Sequence, residues 1–269
     1  MTVGSVAFIG GGVMGEAILK SLLGKGLAKP ADISVAEPVE SRRKVLEKIY
    51  QVRTVEAPHK AAAGAQTVVL SIKPQNLPEV MDDLKSTLNP EQLVLSIIAG
   101  ATIKTMTEGL GHEAVIRVMP NTPAQIGEGI SVWTATEAVS KEQQAAAKEL
   151  LAALGQEVQV DHEHYLDMAT ALSGSGPAYV FLFIEALIDA GVHIGMPREM
   201  AERLALQTVL GSARFAQASG QHPAQLRNMV TSPGGTTAEA LLELESGAFR
   251  ATIIRAVEAA YEKSRALGR

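Results

Sequence analysis

The stretch VAFIGGGVMGEAIL, residues 6–19, constrains the fold of this chain more than any other. An apolar β-type run leads into Gly10, Gly12 and Gly15 in GxGxxG spacing, and a helix-forming run follows. The three glycines do different physical work. Gly10 permits a tight turn, Gly12 lets the backbone approach a pyrophosphate, and Gly15 lets the helix pack on the strand. A phosphate then rests on the helix N-terminus. A plain glycine turn in a doubly wound fold is the blander reading of the same residues. What favours a dinucleotide is the setting: strand before, helix after, and a second strand ending in Glu37, 22 residues past Gly15. A carboxylate there accepts hydrogen bonds from ribose hydroxyls and repels a 2′-phosphate. Arg42 and Arg43 follow, and as guanidinium groups they can instead clamp that phosphate. The cofactor is therefore read as NADPH or NADH, with Glu37 leaning towards NADH.

The rest of the first half repeats the pattern. Residues 5–9, 32–36, 67–72, 92–97 and 114–118 are short apolar β-type runs, with helical patterns at 14–25, 39–49, 76–86 and 102–110. Strands alternating with helices predict a parallel sheet covered on both faces. Two weaker strands, 130–134 and 157–160, flank a helix at 140–153. From about residue 161 the β-type runs stop, and helices are expected at 162–171, 177–193, 197–218, 223–229, 236–245 and 247–266. The predicted class is an α/β Rossmann-type doubly wound sheet (residues 1–160) followed by an all-α domain (161–269). In the helix opened by Pro177, ten of the eleven residues 178–188 are apolar. Such a helix is buried on most sides, and a domain this small offers few interior places, so a subunit interface is expected. AYVFLFI is interrupted by Glu185 and reads as too short to span a bilayer.

Composition narrows the partners. The net charge of −5 offers no basic face for nucleic acid or an anionic membrane. The 269 residues contain no cysteine, which removes disulfides and thiolate metal sites and fits a reducing compartment. No export signal is read at the start of the sequence, so a soluble cytoplasmic protein is expected.

Ligand-facing residues are sought where such a sheet places them, at the carboxyl ends of its strands. Lys73 in SIKPQ is a candidate cofactor contact. The small residues of IIAG (97–100) let backbone approach a nicotinamide, and Asn121 in MPNTP can hydrogen-bond nearby. In the helical half, TSPGGTT (231–237) precedes a helix. Gly234 and Gly235 can expose backbone N–H groups as a nest, and Ser232, Thr236 and Thr237 add hydroxyls. That set suits a small carboxylate. A helix cap by Thr236 or Thr237 is the alternative, but it uses only one hydroxyl. DHEHYLD (161–167) lacks a metal-ligand spacing, so no metal is expected. His222 reads as a cap or a loop-lining residue.

MPNTPAQIGEG (119–129), LSGSGPAYVFLFIEAL (172–187), GMPREMA (195–201), HPAQLRNMVTSPGGTT (222–237) and LESGAFRATIIRAVEAA (244–260) together resemble the pyrroline-5-carboxylate reductases, from residue 5 to about 266. The resemblance implies NAD(P)H-dependent reduction of a cyclic imine, 1-pyrroline-5-carboxylate, to proline. It implies a homodimer interlaced through the helical domain, with a decamer of dimers as a larger option. Cofactor contacts carry over to Gly10, Gly11, Gly12, Val13, Met14 and Gly15. They also fall on Ser71, Ile72, Lys73 and Pro74, and on Ile97, Ile98 and Ala99. Substrate contacts carry over to Glu163, Thr236 and Thr237, with Thr237 nearest the imine nitrogen and so the catalytic candidate. The sequence departs from the family at Glu37, where a small neutral residue is common, and near Pro58 and His59, where an asparagine contacts the cofactor. Two rivals remain. A β-hydroxyacid or other imine reductase of the same fold is one, although the helical half has a single lysine, Lys263, to serve as an acid. A non-catalytic dinucleotide-binding protein is the other.

Overall fold

The computed structural model describes residues 3–268; residues 1, 2 and 269, which the expected domain ranges include, lie outside the described residues. In chain order, β1 (Val6–Ile9) leads to α1 (Val13–Gly24), and β2 (Ile33–Ala36) to α2 (Glu40–Tyr50). Next come β3 (Arg53–Val55), α3 (Pro58–Ala62), β4 (Thr67–Leu70), α4 (Leu77–Leu84), β5 (Leu93–Ser96), α5 (Ile103–Leu110) and β6 (Val115–Met119). Then β7 (Gly129–Ala135), α6 (Lys141–Ala152) and β8 (Gly155–Gln159) complete the sheet. The helical remainder is α7 (His164–Ala169), α8 (Gly176–His193), α9 (Arg198–Ser219), α10 (Pro223–Met229), α11 (Thr236–Ser246) and α12 (Phe249–Leu267).

The strands lie in the order β3-β2-β1-β4-β5-β6-β7-β8. From β3 to β6 all pairs are parallel; β7 runs antiparallel to β6, and β8 parallel to β7. The order reverses between β1 and β4, which opens a crevice at their carboxyl ends. β1, β4, β5 and β6 are buried at every residue, as a sheet covered on both faces demands. One face packs Ile18, Leu22, Leu46, Leu150 and Leu151 around Phe8 and Trp133. The other packs Ala61, Leu84, Met106 and Leu110 around Ala7, Ile9 and Val94. Ser140 caps α6 by accepting the Gln143 N–H, and the Gln143 amide oxygen accepts the Ser140 N–H.

Three sequence expectations are corrected. β3 and α3 are absent from the sequence reading, being only three and five residues long, with β3 at a partly exposed edge. The break expected at SGSG does not occur: α7 passes through a single π turn, Thr170–Gly174, almost directly into α8. The resulting helical stretch, His164–His193, is long and apolar enough to cross a membrane by length and composition, unlike the shorter run read from sequence. Third, the chain divides into two compact units at Ser175 rather than at 160, and the first unit takes back the chain from Ala260. α7 belongs to the first unit because Leu166 and Ala169 pack on Met119.

Within the second unit, Gly191 of α8 lies so close to α9 that an added Cβ would stand 2.9 Å from the Ala201 Cβ. Much of α8 is exposed. None of its residues is buried, and Phe181 and Leu182 are 63% and 67% exposed. Fully burying one such side chain contributes about 1.5–3 kcal/mol, so this face is stable only when covered. Substituting Leu182→Asp should shift the sedimenting particle to the monomer or to aggregates, while the first unit stays folded by circular dichroism. An unchanged particle size would show that the face is not used for association.

Candidate dinucleotide turn and anion loop

In the first unit, the expected cofactor residues converge on the carboxyl ends of β1, β2, β4 and β5. The Gly10 N–H donates to the Ala36 carbonyl at 2.8 Å, and its φ of +104° is one that side chains rarely adopt. A Cβ on Gly15 would lie 2.5 Å from the Gly10 carbonyl oxygen and 2.7 Å from the Ser71 hydroxyl. Gly12 caps α1 and differs: a Cβ there would meet nothing within 4 Å. The turn is thus packed tight beneath and open in front, which fits a pyrophosphate approaching the helix N-terminus. Val13 is exposed on that opening and Met14 packs inward on the core.

The underside is pinned. Arg42 donates its Nε–H to the Gly11 carbonyl at 2.8 Å and pairs with Glu16 at 2.6 Å. Tyr50 donates to the same carboxylate at 2.9 Å. Burial presses Glu16 towards its neutral form, but the bonds from Arg42 and Tyr50 and the arginine's charge outweigh it, holding the carboxyl below its ordinary range. Burial and the bond to Glu16 push the Tyr50 hydroxyl up to about 12.

Glu37 is buried to 9% exposure at the end of β2. It accepts the Gly11 N–H at 3.1 Å and the Val39 N–H at 3.0 Å. Arg42 is committed to Glu16, and Arg43 donates to the carbonyls of Glu37 and Pro38 at 2.8 and 2.9 Å. Ser71 uses its hydroxyl to bind the Gly10 carbonyl at 2.8 Å, so it fixes the turn. Lys73 and Pro74 are exposed at the rim, with Ile72 half-buried beside them. Ile97 follows β5, with its N–H on the Leu70 carbonyl. Ile98 is buried, so only its backbone is available to a ligand, whereas Ala99 is half-exposed.

Two expected contact residues have other work. Asn121 accepts the Ile130 N–H at 2.9 Å and donates to the Ser173 carbonyl at 3.2 Å, tying MPNTP to the π turn. Each end of its amide has one partner, which fixes the side chain and leaves one N–H and one lone pair for a ligand. Glu163, expected beside substrate, presents Oε1 to the Arg117 guanidinium at 2.7 Å and to the Ile103 N–H at 2.7 Å. Sequence reasoning misses Arg117. The available signal is one charge inside the apolar strand VIRVM, where a buried cation requires a partner.

In the second unit, Ser232–Gly235 form a turn closed by the Gly235 N–H on the Ser232 carbonyl at 3.1 Å. Pro233 precedes Gly234, whose φ is +67°, as a type II turn requires. Gly235, not a threonine, is the N-cap of α11, and no side chain caps it. The Thr236 and Thr237 hydroxyls make no hydrogen bond among the described residues. The cap reading therefore fails, and the loop keeps free donors at a helix start, as an anion site needs. His222 does cap α10, its Nδ1 accepting the Ala224 N–H at 3.2 Å. Among the described residues, no cluster of three or more metal-type side chains is formed.

Comparison with known proteins divides the chain near the boundary expected from sequence, at 160, rather than at Ser175. A family model described as pyrroline-5-carboxylate reductase dimerisation matches residues 163–267, and one described as NADP oxidoreductase, coenzyme F420-dependent, matches residues 5–100. The chain is 46% identical to a pyrroline-5-carboxylate reductase of Synechocystis, over 98% of each chain. It superimposes on a pyrroline-5-carboxylate reductase structure from Coxiella burnetii with a TM-score of 0.92 and 37% identity, covering both chains fully. A Plasmodium falciparum pyrroline carboxylate reductase solved with NADP bound gives 0.91 and 34%, again over both full chains.

The turn's geometry separates two glycine substitutions. Gly15→Ala should cost about 1–3 kcal/mol in urea unfolding through overpacking and abolish NADH binding. Gly12→Ala should leave stability within about 1 kcal/mol of the parent, the glycine-to-alanine backbone effect, yet weaken NADH binding at least about tenfold, a loss of 1.4 kcal/mol. Equal behaviour of the two would contradict the open-front, closed-back turn.

Proposed function

The chain belongs to the pyrroline-5-carboxylate reductase family, and we propose the following roles for its residues in the NAD(P)H-dependent reduction of 1-pyrroline-5-carboxylate to proline. When bound, the nicotinamide supplies the hydride that goes to the C=N carbon. Gly10–Gly15 would hold the pyrophosphate at the α1 N-terminus, and the Ile97–Ala99 backbone would face the nicotinamide. The observation that carries the substrate reading is the TSPGGTT turn: among the described residues the Ser232, Thr236 and Thr237 hydroxyls are unbonded, only Thr231 donating to the Arg227 carbonyl, and the helix cap has no side chain. Ser232, Gly234 and Thr236 take the ring carboxylate through N–H and O–H donors, and Gly235, whose N–H closes the turn on the Ser232 carbonyl, shapes the site as the N-cap of α11.

The product amine needs one proton beyond the hydride. Thr237 is placed to hold a hydrogen bond to the ring nitrogen, and because a threonine hydroxyl is a very weak acid, the imine enters already protonated. Loss of that bond in Thr237→Ala should lower kcat by about 10- to 1,000-fold. Unchanged turnover at saturating substrate would refute the role. The overall activity is tested by mixing the purified protein with NADH or NADPH and pyrroline-5-carboxylate. Consumption of neither cofactor would overturn the reading, and with it the imine in favour of a non-catalytic binder.

Glu37 sets the cofactor preference towards NADH. A 2′-phosphate would approach a buried carboxylate, and both nearby arginines are already bonded. Like charges about 4 Å apart near a protein surface repel by about 4 kcal/mol. Glu37→Ser should therefore move the ratio of kcat/KM for NADPH over NADH upward by at least about tenfold, or 1.4 kcal/mol. No movement would assign the preference elsewhere.

The working form is a cytoplasmic homodimer built through the helical unit, where α8 exposes Phe181 and Leu182. A decamer of dimers is a further level that sedimentation distinguishes from the dimer.

A further inference from the structure

We propose that Arg117 is a positioning residue for hydride transfer, acting on the nicotinamide-facing turn Ile97–Thr102 through Glu163 and Asp167. The proposal rests on the functional reading above. Arg117 lies in the middle of β6 with its side chain only 2% exposed. Burying a charge costs several kcal/mol even after relaxation, and well-packed apolar side chains often serve stability as well or better. A buried ion cluster is therefore poorly explained by stability alone, and what its partners hold is the informative point.

Those partners hold both the far end and the middle of one turn. Glu163 Oε1 accepts from Arg117 Nη1 at 2.7 Å and also from the N–H of Ile103 at 2.7 Å. Ile103 is the first residue of α5, where the turn ends. Asp167 Oδ1 lies 3.5 Å from Arg117 Nη2 and accepts the Ser264 hydroxyl at 2.9 Å. Ser264 is buried on α12, and one turn later Leu267 covers Gly100. Gly100 has φ +77°, and a Cβ there would stand 3.0 Å from the Leu267 Cβ and 3.1 Å from its carbonyl oxygen. Arg117 is thus linked to Ile103 by one carboxylate and to the cover over Gly100 by the other. Its Nε and Nη2 make no hydrogen bond, so Glu163 is held through Nη1 and Asp167 by charge alone, at 3.5 Å. A change in its reach shifts the turn between these anchors, and with it the face the nicotinamide meets.

A lysine keeps the charge but not the planar fork that spans two carboxylates. In Arg117→Lys, kcat should fall about 10- to 100-fold, the scale of a misplacement near 1 Å. NADH should bind about tenfold more weakly, a change of 1.4 kcal/mol, while the affinity for ADP-ribose, which lacks the nicotinamide, stays within about twofold. Glu163→Gln keeps the acceptor for Ile103 and weakens the ion pair; it should show the same pattern at smaller size and is the readout if the lysine variant does not fold. A merely structural cluster would lower the melting temperature and leave kcat of the folded enzyme unchanged. That result, or a parallel loss of ADP-ribose and NADH binding, overturns the proposal. Failure of the functional reading is seen separately, as an unmutated protein inert towards pyrroline-5-carboxylate; the NADH to ADP-ribose comparison still decides the role of Arg117.

Discussion

The contact between α1 and the β1 turn is the constraint on which the rest depends. The helix starts so close to the sheet that Gly15 has no room for a methyl group against the Gly10 carbonyl. That closeness aims the free N–H groups of α1 into the crevice between β1 and β4, where the strand order reverses. It is reinforced from three sides. Ser71 bonds the Gly10 carbonyl, Arg42 bonds the Gly11 carbonyl, and Glu37 accepts the Gly11 N–H. The loop's carbonyls are drawn towards the protein, which leaves the open face at Gly12 electropositive.

The same economy of charge shapes the second unit. The TSPGGTT turn offers backbone and hydroxyl donors, with Gly234 at a positive φ and a helix cap without a side chain. A cation there would hold a carboxylate more strongly, but it would also crowd a five-membered ring. Cationic side chains are used instead in structural places: Arg42 beneath the glycine turn and Arg117 behind the Ile97–Thr102 turn.

Much of this is legible in the chain itself. The alternation of apolar strands with helices predicts the sheet, because a doubly covered strand must be apolar throughout, as β1, β4, β5 and β6 are. The glycine spacing predicts the turn, and His222 before Pro223 predicts a cap. The losses have local causes. β3 is three residues at an edge, too short to show a period. SGSG reads as a helix breaker, yet a π turn carries the helix through it, with the Ser173 hydroxyl on the Ala169 carbonyl and Asn121 on the Ser173 carbonyl. Asn121 and Glu163 are expected in the right neighbourhood, but their bonding partners lie 52 and 46 residues away in sequence, and no local pattern names them. The division at Ser175 follows from the same long-range bonds, since Arg117 fastens α7 to the sheet.

The central claim is that uncharged donors at residues 232–237 receive the substrate's carboxylate while the dinucleotide turn supplies the reductant. A crystal structure of the protein with NAD⁺ and proline tests it most directly. The account predicts the proline carboxylate within hydrogen-bond distance of the Thr236 and Thr237 donors, with the ring nitrogen on the Thr237 side chain. A carboxylate bound instead by a lysine or arginine, with TSPGGTT empty, would contradict it.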